Sequence, residues 1–181
     1  MDLSEQDLKK IKALHVMLKM PIWILERETN RVLKSYKSIY KHPISYKFKE
    51  KNISEEVVQF YSGMLNEIFL CLWYRDVKIV IGAFRINNVT RAEFSYVYDN
   101  LTLQNKKVLS EEECWEYYSS LPIYPLGDIR DYLILLGFLF DMNLEEVYSE
   151  ELHKQVAENQ LELVRKSSED TLYETFRVER Y

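Results

Sequence analysis

A chain of 181 residues with a formal net charge of −5 fits one domain, or one domain with an added helical layer. That acidity argues against a free-standing nucleic-acid binder, which needs a basic surface to displace counterions from phosphates. No window approaches 18 uninterrupted apolar residues and Met1–Glu5 has no basic-then-apolar pattern, so neither a membrane span nor a signal peptide is expected, and the expected compartment is the cytoplasm.

In chain order, Ser4 with Asp7 forms a capping-box pattern and opens a helix carrying Leu8, Ile11, Leu14, Met17 and Leu18. Pro21 stops it. A β-hairpin is predicted next, from Ile22–Glu26 and Val32–Tyr36, with Arg27–Arg31 as the bend. Ser54-Glu55-Glu56 then caps a short amphipathic segment with Val57, Phe60, Tyr61 and Met64, which reads as helix. The strongest β signal runs from Glu67 to Ile86. It has a first strand around Ile68–Tyr74, a tight turn at Arg75-Asp76, and a return strand from Val77. Both strands are apolar on both faces, which predicts cover on both sides, and Gly82 sits where a bulge fits.

From Thr90 the period becomes helical. Thr90 can cap a helix with Phe94, Val97, Tyr98 and Leu101, and the Ser110/Glu113 pair caps another with Cys114, Trp115, Tyr117, Tyr118 and Leu121. After Pro122 and Pro125, Leu126–Met142 is apolar nearly all round and is expected to be a buried helix. Leu144 to about Tyr173 is polar, acidic and helix-favouring, with scattered apolar positions such as Val147, Leu152, Val156, Leu161 and Val164. The order helix, strands, helices predicts an α+β fold: an antiparallel sheet with an N-terminal helix and a C-terminal helical layer. Residues 1–143 are assigned to this domain and 144–181 to an acidic connector helix.

Catalytic patterns are absent from the sequence. His15, His42 and His153 make no metal-binding spacing, the four glycines form no phosphate-binding loop, and the acidic pairs decorate helix starts. Cys71 and Cys114 lie in apolar or aromatic stretches, where free cysteine acts as a small hydrophobe. No cofactor, metal site or catalytic residue is expected. Arg31–Lys51 interleaves Lys34, Lys37, Lys41, Lys47, Lys49 and Lys51 with Tyr36, Tyr40, Tyr46 and Phe48. Such a stretch suits single-stranded nucleic acid, an anionic small ligand, or exposed strands whose lysines block edge-to-edge pairing; the last is preferred, because no nucleic-acid-binding signature accompanies the charge.

Two short segments carry a resemblance. Val80-Ile81-Gly82-Ala83-Phe84 resembles the "IGPF" strand end, and Trp115–Ile123 the "YYxSLP" segment, of PAS-like N-terminal sensor domains in Gram-positive AraC-family regulators, most of all those associated with surface-protein expression. Met20–Leu25 is similar to that family's opening strand, Leu133–Phe140 to the apolar helix after "SLP", and Tyr173–Tyr181 to its connector. Ala83 departs from the pattern, standing where the family has proline, and no helix-turn-helix pair follows Tyr181. The resemblance implies a PAS/GAF-like sheet and a non-enzymatic regulatory domain. Such a domain senses a small-molecule or protein signal, forms a homodimer, and acts on DNA only through a C-terminal helix-turn-helix domain.

The alternatives are a structural interaction domain with a filled core and a stand-alone small-molecule-binding protein. If a ligand pocket lies on the sheet, the expected lining residues are Trp23, Tyr36, Cys71 and Trp73, though each such residue is more often plain core. Strand alternation puts Phe69, Cys71 and Trp73 on one face and Ile68, Leu70, Leu72 and Tyr74 on the other.

Overall fold

Helix α1, Glu5–Leu18, begins at the capping box read from the sequence: the Asp7 N–H donates to Ser4 Oγ, and the Asp7 carboxylate accepts from the Ser4 N–H at 3.0 Å and its hydroxyl at 2.7 Å. It ends at Lys19 in the left-handed region (φ 55°), whose N–H donates to the His15 carbonyl. The computed structural model to which these elements belong describes residues 3–37, 58–63, 65–99, 101 and 109–144. The connector assigned to 144–181 falls, beyond Leu144, outside the described residues, as does the basic and aromatic stretch beyond Lys37.

The strands are β1 (Ile22–Glu26), β2 (Val32–Tyr36), β3 (Val58–Ser62), β4 (Ile68–Tyr74) and β5 (Val77–Phe84). They form one antiparallel sheet in the order β2-β1-β5-β4-β3. Among the described residues three helices follow: α2 (Arg91–Asp99), α3 (Glu111–Ser120) and α4 (Leu126–Phe140). This is the α+β, PAS/GAF-like sheet with an N-terminal helix and a C-terminal helical layer. β2 is an edge strand of the sheet among the described residues, with Val32 and Lys34 exposed.

β5, at the centre, is buried along its whole length, and β4 is buried except for the partly exposed Trp73. Ile68 pairs with Phe84 but Phe69 with Gly82, so β5 carries one extra residue there, the bulge expected at Gly82. Gly82 has φ +155°, and a Cβ on it would stand 2.7 Å from Phe69 Cδ1 and 3.0 Å from the Ile68 carbonyl oxygen. The Gly82–Ala83 peptide is cis.

Side chains divide between two cores. On one face Ile22, Ile24, Leu70, Leu72, Ile79 and Ile81 meet Ile11 and Leu14 of α1 and Ile129, Leu133, Leu136 and Phe140 of α4. On the other, Leu25, Phe69, Cys71 and Val80 meet Phe94 and Val97 of α2 and Cys114, Tyr117 and Tyr118 of α3. Each fully buried side chain of this kind contributes about 1.5–3 kcal/mol relative to exposure, which is why the doubly apolar β4 and β5 occupy the middle layer. Arg85, just past β5, holds the second helical layer in place. Its backbone N–H donates to the Pro122 carbonyl at 2.8 Å, and its guanidinium donates to the carbonyls of Ser119 and Leu121.

Two expectations are corrected. The segment around Val57–Met64 read as helix is strand β3 over Val58–Ser62, paired residue for residue with β4 from Val58↔Leu72 to Ser62↔Ile68. Val58, Phe60 and Tyr61 suit a pleated edge, and the unpaired side of β4 offers a full ladder of hydrogen bonds. Helix α4 is also not buried all round: Ile129, Leu133, Leu136 and Phe140 make one buried stripe, while Leu135 is 39% and Phe138 84% exposed. A single sheet face can cover only one side of a helix.

Candidate ligand sites

The first face holds an apolar cleft with about 40 Å³ of free space. Its walls come from three places: Leu14, Leu18 and Met20 at the end of α1, Phe60, Leu70, Ile81 and Phe84 on the sheet, and Tyr124, Ile129, Tyr132, Leu135 and Leu136 on and before α4. The tyrosines shape its entrance. Tyr124 stacks edge-on against Phe84 at 5.7 Å and against Tyr132 at 4.7 Å, and its hydroxyl donates to the Leu18 carbonyl at 3.4 Å, spanning from α4's approach to α1. Burial pushes both phenols above their ordinary pKa, so they remain neutral donors at physiological pH. The cleft admits a small apolar group, and a ring the size of benzene needs the helices to part.

The four sequence-predicted residues lie elsewhere. Trp23, Cys71 and Trp73 come together on the second face, whereas Tyr36 packs against the first, with its ring 5.8 Å from that of His15; none of the four borders the cleft. The register explains the grouping. Trp23, Val80 and Cys71 form one row across β1, β5 and β4, and Leu25, Lys78 and Trp73 form the next. Trp23 meets Phe69 with ring centroids 6.3 Å apart. Burial pushes the Cys71 thiol up to about 12, so it stays protonated and behaves as packing.

Lys78 in that second row went unremarked in the sequence reading. Its side chain is 4% exposed, and its ammonium donates to Asn30 Oδ1 at 2.6 Å and sits 4.6 Å above the Trp73 ring. The exposed Arg27 lies over the same ring at 4.3 Å and donates to the Arg75 carbonyl at 3.3 Å. Burial pulls the Lys78 ammonium below its ordinary pKa and Arg27 adds to the pull, while Cys71 opposes it. The signal was present in the sequence: a lysine between Val77 and Ile79 in a strand predicted to be covered on both sides has no solvent face to use. The cleft residues gave no such signal, since an apolar side chain beside a void and one in full packing look the same in a sequence.

Glu67 is also fully buried, and its carboxylate accepts from the Leu65 N–H at 2.7 Å at the entry to β4. Among the described residues no group of three or more His, Cys, Asp or Glu side chains could hold a metal ion, and no helix is long and apolar enough to cross a membrane. No protein-family model, curated protein or solved structure matches the chain.

Proposed function

We propose that this chain is the signal-sensing, dimerising domain of a bacterial transcription regulator, cytoplasmic and without catalytic activity, that controls DNA binding by a C-terminal helix-turn-helix domain. The observation that carries the reading is the apolar cleft between the sheet, α1 and α4. A signal must interact differently with two arrangements of its receptor. A cleft closed on one side by the last described helix meets that requirement, because filling it moves α4 relative to the sheet and so moves whatever follows α4. The likeness to AraC-type sensor domains supports the same reading, and its two carrier segments lie side by side, joined by Arg85 and by a bridge between Arg85 and Ile123.

The interaction-domain reading is favoured by one observation, the apolar surface that α4 leaves exposed at Phe138 and Leu135. The two readings separate in a reporter assay in which the chain precedes a DNA-binding domain that reads paired half-sites. Leu136→Phe, which places a larger side chain in the cleft, is expected to change basal transcription about fivefold or more, the range of ordinary allosteric coupling. Output that follows Phe138→Asp but ignores Leu136→Phe would leave a domain whose whole activity is association.

A further inference from the structure

We propose that the second face of the sheet holds an anion site, built by Lys78, Arg27 and the indole N–H of Trp73, that takes the carboxylate of a small organic acid. A lysine ammonium has three N–H donors, and the only hydrogen bond Lys78 makes among the described residues is to Asn30 Oδ1. The Trp73 Nε1–H is buried and has no acceptor among the described residues. No carboxylate of the described residues pairs with Lys78 or with Arg27, which contacts the Trp73 ring and donates to the Arg75 carbonyl. Two cations thus stand against one ring whose own N–H has no acceptor among the described residues, beside the Arg27–Arg31 and Arg75–Asp76 turns.

Stability alone does not account for this arrangement. A buried cation without a counter-ion is costly, and apolar residues of similar volume generally do better at such positions. The Trp73 ring offsets part of the cost through its π face. The in-plane indole N–H is not engaged by that contact and stays unsatisfied, and two cations stand against one ring. An incoming oxyanion would resolve all three deficits together. Charge matching selects its class. Only Lys78 is buried, so one negative charge is balanced inside, and a second would be desolvated without a partner. The exposed Arg27 stands at the mouth, where it meets the ligand before Lys78 does. By charge, a monoanionic carboxylate matches the site and a phosphate dianion does not.

The site is independent of the cleft and of the regulatory reading, so its test reads binding alone. Thermal unfolding of the 181-residue chain is followed in acetate, benzoate and phosphate, each against chloride at the same ionic strength. One or both carboxylates are expected to raise Tm by about 3 °C or more near saturation, and phosphate no more than chloride. Lys78→Met is expected to unfold at a higher temperature than the parent in chloride and to lose the carboxylate response. If Lys78→Met does not fold, Arg27→Gln serves, since it changes an exposed side chain; it should weaken the carboxylate response severalfold, read also as a change in tryptophan fluorescence on titration. A parent protein indifferent to both carboxylates, a larger response to phosphate, or a Lys78→Met or Arg27→Gln variant that responds as the parent does, would each overturn the assignment.

Discussion

Asp7 joins the helix α1 to the sheet. Its carboxylate closes the capping box with Ser4, accepts from the Tyr74 hydroxyl at 3.1 Å and lies 3.3 Å from an Arg75 guanidinium nitrogen, all while 3% exposed. The Ser4 hydrogen bonds hold it below the usual carboxylate pKa, with Tyr74 and Arg75 adding to the effect against the opposing pull of burial. A carboxyl with a lowered folded pKa stabilises fully above its unfolded value of about 3.9, and loses that contribution as pH falls toward the folded value. Asp7→Asn should therefore cost about 1–2 kcal/mol at neutral pH and flatten the fall in stability below about pH 4, measured by urea unfolding across pH. Gly82→Ala tests the bulge: with φ +155° and Phe69 Cδ1 2.7 Å from the added carbon, it should cost about 2 kcal/mol or more. Urea midpoints near the parent's would show that the bulge tolerates a side chain. The capping boxes at Ser4 and Ser110 and the bulge glycine were legible because each depends on residues within a few positions. The burial of Lys78 was legible from its strand, but its partner Asn30, 48 positions away, was not, nor was the contact of Tyr124 with Leu18, 106 positions away.

Among the elements, β4 and β5 were readable as a two-sided hairpin because their apolar runs leave no polar face to expose. β3 was misread because Glu55-Glu56 followed by Val57, Phe60 and Tyr61 satisfies a helical start and a strand equally well, and only the free edge of β4 decides between them. α4 was read as helix correctly but given too much burial. Its stripe of Ile129, Leu133, Leu136 and Phe140 faces the sheet, whereas Phe138 faces outward. Leu133→Ala should then cost about 2–5 kcal/mol, and Phe138→Asp should stay within about 0.5 kcal/mol of the parent. Equal losses at the two positions, in urea or thermal unfolding, would mean that α4 is covered on both sides.

At the scale of the molecule, a five-stranded antiparallel sheet is enclosed by α1 and α4 on one face and by α2 and α3 on the other. The class was legible from the order of periodicities along the chain. The division of labour between the faces was not, because it depends on which side each helix docks. The dimer proposed for this domain should appear in light scattering at tens of micromolar, and a monomer there would remove association from the account. The central claim is that the cleft makes α4 a movable element, biased by what fills the space beside the sheet. Hydrogen exchange of the α4 amides, compared between the parent and Leu136→Phe, tests it most directly. Elements that move in signalling open locally at lower free energy than the core. The account predicts that α4 exchanges well before β4 and β5, and that filling the cleft slows α4 by about tenfold while leaving the strands unchanged. Exchange of α4 together with β5 in one global opening, indifferent to the larger side chain, would contradict it.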